Sequence, residues 1–135
     1  MPPTRFWRVI LEPESGVWET CRDKEIIAIW YPELPDDSNV RKFRDEMQLN
    51  DKVVAYLKNR RIGAVGIIIG DYSFDEAILH GQFYRTRKVH WNHKSLNGWE
   101  FELSNETKAK LAQRSTVVEL DEAEYEEIVS QILLM

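Results

Sequence analysis

The stretch from Val53 to Tyr72 constrains the fold more than any other part of the chain. It reads VVAYLKNRRIGAVGIIIGDY, two apolar runs joined by Asn59-Arg60-Arg61, which is the pattern of an antiparallel hairpin. Glycines stand at Gly63, Gly66 and Gly70 along the returning run. In a strand a glycine marks a bulge, a sharp bend or a close backbone approach, and repeated glycines are how a small sheet curls into a barrel. A phosphate loop is the other reading of such glycines. It fails, because GAVGIIIG is apolar and lacks a Lys-Ser/Thr ending.

The other segments supply the rest of a curled, mostly antiparallel sheet with short helices packed on it. Arg5 to Leu11 is aromatic and branched and closes at Glu12-Pro13, which predicts a first strand. VWETCRDK, after Ser15-Gly16, predicts a two-turn helix with Trp18 and Cys21 on one face. IIAIW, residues 26 to 30, has a buried strand's composition and stops at Tyr31-Pro32. Val40, Phe43 and Met47 recur at helical spacing in VRKFRDEMQL. YSFDEAILHGQ is read as a loop or a single helical turn. FYRTRKVHW, residues 83 to 91, is a strand with Phe83, Arg85, Arg87, Val89 and Trp91 on one face. Trp99 to Leu103 is a further strand, Asn105 to Gln113 a helix capped by Ser104, and Thr116 to Leu120 a last strand. Asp121 then caps a terminal helix whose Tyr125, Ile128, Val129, Ile132 and Leu133 form one buried stripe.

Length and composition fit one soluble domain over residues 1–135, since 43% hydrophobic and 30% charged residues suit a single core. The lone Cys21 excludes an internal disulfide and a multi-cysteine zinc site. With no long apolar run and no apolar leader in MPPTRFWR, the expectation is a cytoplasmic protein that does not meet the membrane. Net charge is −5, yet its distribution is uneven. Residues 41 to 61 and 85 to 94 are locally basic, whereas Glu119, Asp121, Glu122, Glu124, Glu126 and Glu127 gather the acid near the C-terminus. A basic face on an acidic protein suits a phosphate-bearing partner.

Catalytic constellations are thin. His90 and His93 have no clear third metal ligand nearby, Cys21 has no histidine partner in a motif, and neither a Walker motif nor a nuclease signature occurs. The expectation is therefore a non-enzyme with no cofactor and no metal.

WETCRDKEIIAIWYPEL, LNDKVVAYLKNRRIGAVGIIIGDYSFD, YRTRKVHW and STVVELDEAEYEEIV, in that order, resemble the EVE-type domain at the N-terminus of McrB-like subunits of modification-dependent restriction systems. The resemblance covers nearly the whole chain. It implies an α+β, PUA-like fold related to YTH domains: a small curled β-barrel flanked by helices. It also implies a DNA-binding specificity domain that flips a methylated base into an aromatic cage, with N6-methyladenine the leading ligand and methylcytosine the next. In the full-length family an AAA+ motor and a separate nuclease subunit are the partners.

A methylated base needs aromatic walls for stacking and a polar group for its edge. By the resemblance Trp30 is the first wall, at the strand end where YTH-type readers place theirs, and Tyr72 and Phe74 lie in the loop of the second. Trp18 is a further candidate, while Trp7, Trp91 and Trp99 are read as structural. Asp71, Ser15, Ser38 and Asn39 are candidates for the base edge. Arg60, Arg61, Arg85, Arg87 and Lys88 are candidates for phosphates, because guanidinium forks match phosphate oxygens. Two other classes stay open: an RNA-binding YTH/PUA-like module, and a protein-interaction domain that uses its acidic surface.

Overall fold

The computed structural model describes residues 3–29, 37–74, 77–79 and 82–135, with 77–79 and 82–83 as backbone alone. In chain order these form β1 (Phe6–Ile10), α1 (Val17–Lys24), β2 (Ile26–Ile29), α2 (Ser38–Arg41) running into a π-helical turn (Lys42–Glu46), β3 (Lys52–Tyr56), β4 (Arg61–Ile68), β5 (Ala77–Leu79), β6 (Gln82–Phe83), β7 (Arg85–Glu100), α3 (Asn105–Leu111), β8 (Val117–Leu120) and α4 (Glu122–Leu133). Among the described residues they build a six-stranded sheet in the order β2-β7-β4-β3-β1-β8, with β5 and β6 as a separate pair. Within the sheet β1 runs parallel to β3, and the other neighbours are antiparallel. The architecture is the expected α+β one, a curled, mostly antiparallel sheet flanked by short helices, here a half-barrel.

The glycines of β4 are where the sheet bends. Register shifts in the β4–β7 ladder fall between Ile62 and Ala64 and between Val65 and Gly66. A Cβ on Gly66 would stand 2.3 Å from the carbonyl oxygen of His90, and one on Gly63 would stand 2.8 Å from the Leu57 side chain and 2.9 Å from the Trp18 indole. Glycine is thus required by close approach, of β7 at Gly66 and of α1 at Gly63. The same shifts let β7 run on unbroken to Glu100, where the sequence suggests two strands; residues 101–104 leave the sheet instead of forming the second.

Alternation along the strands supplies two cores. Trp7, Val53, Ala55, Val89 and Trp91 face α1 and the π-helical turn, meeting Trp18, Cys21, Phe43 and Met47. Val54, Tyr56 and Val65 face the other way, against Leu111 of α3 and Tyr125, Ile128 and Ile132 of α4. The α4 stripe is shorter than its spacing predicts. Leu133 is 67% exposed because it lies in the last turn, beside the exposed Leu134 and Met135.

Residues 72–74, read as part of a loop or a single helical turn, are not helical. Ser73 exchanges backbone hydrogen bonds with Thr86 at 2.9 and 2.8 Å, and β5 pairs with β6 beyond it. At the far edge, α2 covers β8: the Asn39 side-chain oxygen accepts from the Val117 N–H at 2.9 Å, and the Lys42 ammonium donates to the Val117 carbonyl at 3.5 Å. Edge groups are satisfied there without closing the barrel. Among the described residues a seam therefore remains between the β2 side and the β1–β8 side.

Candidate functional site

A cavity of about 380 Å³ opens at that seam. Ala28 and Ile29 line it from β2, Ile10 and Thr116 from the opposite side, and Ser15, Val17 and Tyr84 close it. The volume lies at the small end of ligand pockets, a size that suits one flat ring better than a large ligand. β7 fixes the geometry, since Thr86 pairs with Ala28 on one side and Ser73 on the other, while Ile29 stands opposite Arg85. Burial raises the Tyr84 phenol above its ordinary range, with the Glu12 charge adding to it. Its hydroxyl stays protonated and can donate as well as accept.

Basic groups flank the cavity. Lys58 and Arg114 line it, and Glu12 faces Lys58 at 2.5 Å, a hydrogen bond that raises the lysine above its usual range. Lys58 belongs to the β3–β4 turn, where Lys58, Asn59 and Arg60 all take left-handed backbone angles, φ 76°, 52° and 64°. Non-glycine residues there cost on the order of 1 kcal/mol each or more, and such strain concentrates at working surfaces. The turn is held by Leu57 N–H donating to the Arg61 carbonyl (2.8 Å) and Arg60 N–H donating to the Tyr56 hydroxyl (3.2 Å). Arg60 and Arg61 are exposed, as expected of a hairpin tip.

The structure divides the other candidates. Ser15 lines the seam cavity and its hydroxyl donates to the Glu12 carbonyl at 3.4 Å. Asp71 and Tyr72 instead line a second cavity, of about 660 Å³, with Arg44, Gln48, Asp51 and Arg87. Those candidates therefore do not share one pocket. Phe74 lies under the Arg85 guanidinium, 4.5 Å from ring centroid to Cζ. Trp30 lies outside the described residues.

Trp18 is corrected from wall to core. It is 1% exposed, its indole N–H donates to the carbonyls of Ser95 and Leu96 at 3.0 and 3.1 Å, and its ring meets Trp91 edge-on at 5.7 Å. Arg85 and Arg87 are corrected as surface phosphate contacts. They do share a face with Trp91, but that face is the interior, and they are 5% and 4% exposed. Arg85 donates to the Tyr72 hydroxyl, and Arg87 donates to the carbonyls of Phe43 (3.2 Å), Met47 (2.9 Å) and Gly70 (3.3 Å). Arg87 thereby caps the end of the π-helical turn. Lys88 is exposed on the outer face. Asn39 is engaged by the β8 edge, and Ser38 opens α2.

Among the described residues no group of His, Cys, Asp and Glu could hold a metal ion. His90 is exposed, with its Nδ1 3.7 Å from Glu25, and burial pushes the Cys21 thiol well above its ordinary range. No described helix is long and apolar enough to cross a membrane. Tyr84 and Arg114 escape the sequence reading. Tyr84 falls on the outward face if strand alternation is extended to it, but it precedes β7 and turns into the seam.

No curated protein sequence matches the chain. Solved structures do. The Mmi1 YTH domain is 12% identical with a TM-score of 0.70, covering 97% of this chain and 76% of that one. The Mmi1 YTH domain in complex with RNA is 11% identical with a TM-score of 0.66, covering 97% and 79%. Rpa0253 from Rhodopseudomonas palustris is 19% identical with a TM-score of 0.61, covering 98% and 96%. These likenesses show a YTH-like fold. The profile of the family described as "Domain of unknown function (DUF8426)" matches residues 35–121, a stretch that takes in α2 through β8, and the chain belongs to that family.

Proposed function

We propose that the chain is a nucleic-acid-recognition domain that takes one modified base into the seam cavity and performs no chemistry on it. The observation that carries this reading is the cavity itself, a ring-sized opening between the β2 side and the β1–β8 side of the sheet with the Lys58–Arg61 turn beside it. Extruding a base costs a few kcal/mol, and stacking returns roughly 1–3 kcal/mol per base, so Tyr84 and a second wall, the role the resemblance gives Trp30, offset it. Exposed Arg60, Arg61 and Arg114 supply the phosphate attraction that an overall acidic protein needs locally.

The resemblance to EVE-type domains supports a methylated DNA base as the ligand, N6-methyladenine ahead of methylcytosine, within a McrB-like restriction system whose AAA+ motor and nuclease subunit are separate. RNA is the second reading. It is favoured by one observation, that a similar structure is a YTH domain complexed with RNA.

Fluorescence anisotropy with matched DNA and RNA strands, each unmodified or carrying one N6-methyladenine or one 5-methylcytosine, tests both. The expected result is one modified strand bound about tenfold more tightly than its unmodified twin, a difference of about 1.4 kcal/mol, lost in a folded Trp30→Ala variant. Equal affinity for all six strands would reject modification reading, and preference for the RNA set would move the reading to RNA.

A further inference from the structure

We propose that the second cavity, of about 660 Å³, is a phosphate-binding site anchored by Arg87 and completed by the Tyr72 hydroxyl. It opens beside Pro3 and Thr4 at the start of β1, whereas the seam cavity reaches Ile10 at that strand's other end. The inference goes beyond the base-reading function and does not depend on it.

The argument begins with two buried charges. Arg85 and Arg87 point the same way from β7, two residues apart and so roughly 6.6 Å along the strand. Each is at least nine-tenths buried. A guanidinium keeps its charge under all ordinary conditions, and a buried charge is costly unless it is paired. Among the described residues neither arginine is in a contact ion pair; the Asp71 and Asp51 carboxylates favour the Arg87 charge only from a distance, and Arg85 rests on the Phe74 ring. The Arg85 Nε has no hydrogen-bond partner among the described residues.

The carbonyls of Phe43, Met47 and Gly70 occupy Nε and Nη1 of Arg87, and the residue lines the cavity, which leaves Nη2 for a ligand. Tyr72 also lines it and uses its oxygen to accept from Arg85. The tyrosine's own proton is then free to donate into the cavity and to carry the Arg85 charge toward it.

Two carboxylates share the cavity, and they differ. Asp51 is buried, and its oxygens accept from the Arg5 N–H (3.1 Å), the Trp7 indole (2.9 Å) and the Gln48 N–H (3.0 Å). It is committed to holding the fold. Asp71 is exposed at the mouth and opposes an anion there. Two inner donors, Arg87 Nη2 and the Tyr72 hydroxyl, have no acceptor among the described residues; they suit a ligand rich in acceptors, and phosphate oxygens fit the guanidinium edge. The phosphate belongs either to a nucleic-acid strand or to a small free phosphate compound.

The test compares melting temperatures in chloride at fixed ionic strength with inorganic phosphate, a nucleoside 5′-monophosphate or an unmodified single-stranded oligonucleotide added, for wild type, Asp71→Asn and Tyr72→Phe. A ligand that binds the native state raises the melting temperature in proportion to the logarithm of its excess over Kd. Stabilisation by inorganic phosphate and the monophosphate assigns a free phosphate compound; stabilisation by the oligonucleotide alone assigns a strand phosphate. In either case Asp71→Asn binds roughly threefold more tightly, because a like charge is removed, and Tyr72→Phe binds more weakly. Asp71 is exposed, so its variant folds even if Tyr72→Phe does not. No stabilisation by any of the three, or affinity unchanged in Asp71→Asn, overturns the site. The inorganic-phosphate arm contains no base, so its failure leaves the seam reading standing, and failure of the seam reading leaves this one.

Discussion

Asp51 joins three separate parts of the chain through one buried carboxylate: the backbone ahead of β1, the Trp7 indole and the turn before β3. Replacing it by alanine leaves three N–H groups without acceptors, each costing about 1 kcal/mol or more. Asp51→Ala should lose about 3 kcal/mol of unfolding free energy in a urea titration; a loss under about 1 kcal/mol would mean that water replaces the carboxylate. Gly66→Ala should be at least as damaging, since its Cβ would meet the His90 carbonyl, a backbone atom that cannot swing aside. At this scale the sequence was only partly informative. The glycines of β4 were legible because a glycine in a strand has few physical meanings. The aromatics were not, because Trp18 and Tyr84 suit a core or a pocket equally, and what decides is the packing of α1 under β7 and the turn ahead of β7. Burial of Arg85 and Arg87 was hidden for a like reason: their alternation with Val89 and Trp91 was visible, but which side was interior was not.

Elements whose signals are local were read well. α1 ends where Glu25 takes φ 54° and donates its N–H to the Cys21 carbonyl, and α4 begins with a capping box of Asp121 and Glu124. Asp121→Ala should cost about 1 kcal/mol, measured as a shift of the urea midpoint at unchanged slope. Elements that depend on distant partners were misread, as with the Ser73–Thr86 bridge and the unbroken β7, whose course is set by pairing with β4. One long-range tie carries a pH dependence. Arg5 grips Glu119 with two hydrogen bonds of 2.8 and 2.7 Å and also reaches Glu46 at 3.1 Å, joining the β1 side to β8 and the π-helical turn. The hydrogen bonds from Arg5 hold the Glu119 carboxyl below its usual 4.5. Because the folded value is depressed, the stabilisation is complete above the unfolded value and is lost as pH falls through the folded one. Glu119→Gln should therefore melt below wild type at neutral pH, with the gap closing under about pH 4.5; a gap that widens on acidification would contradict the pairing. The effect is modest, since both side chains are partly exposed.

At the scale of the whole molecule, the sheet formed by the described residues stops short of a closed barrel and keeps a seam with a strained basic turn beside it. Strain held in that turn predicts a trade. Arg60→Gly relieves a left-handed residue and should raise stability by up to about 1 kcal/mol while weakening nucleic-acid binding; an unchanged affinity would remove the turn from the interface. The curled sheet was legible from its glycines and its alternation, and the seam was not, since it arises from which edges stay unpaired after every strand is placed. The central claim, that this seam receives a base, is tested most directly by backbone amide chemical shifts on adding the preferred modified oligonucleotide. The account predicts the largest changes at Ser15, Val17, Ala28, Ile29 and Tyr84, with smaller ones at Arg60 and Arg61. Changes confined to α4, or spread evenly over the surface with the seam untouched, would contradict it.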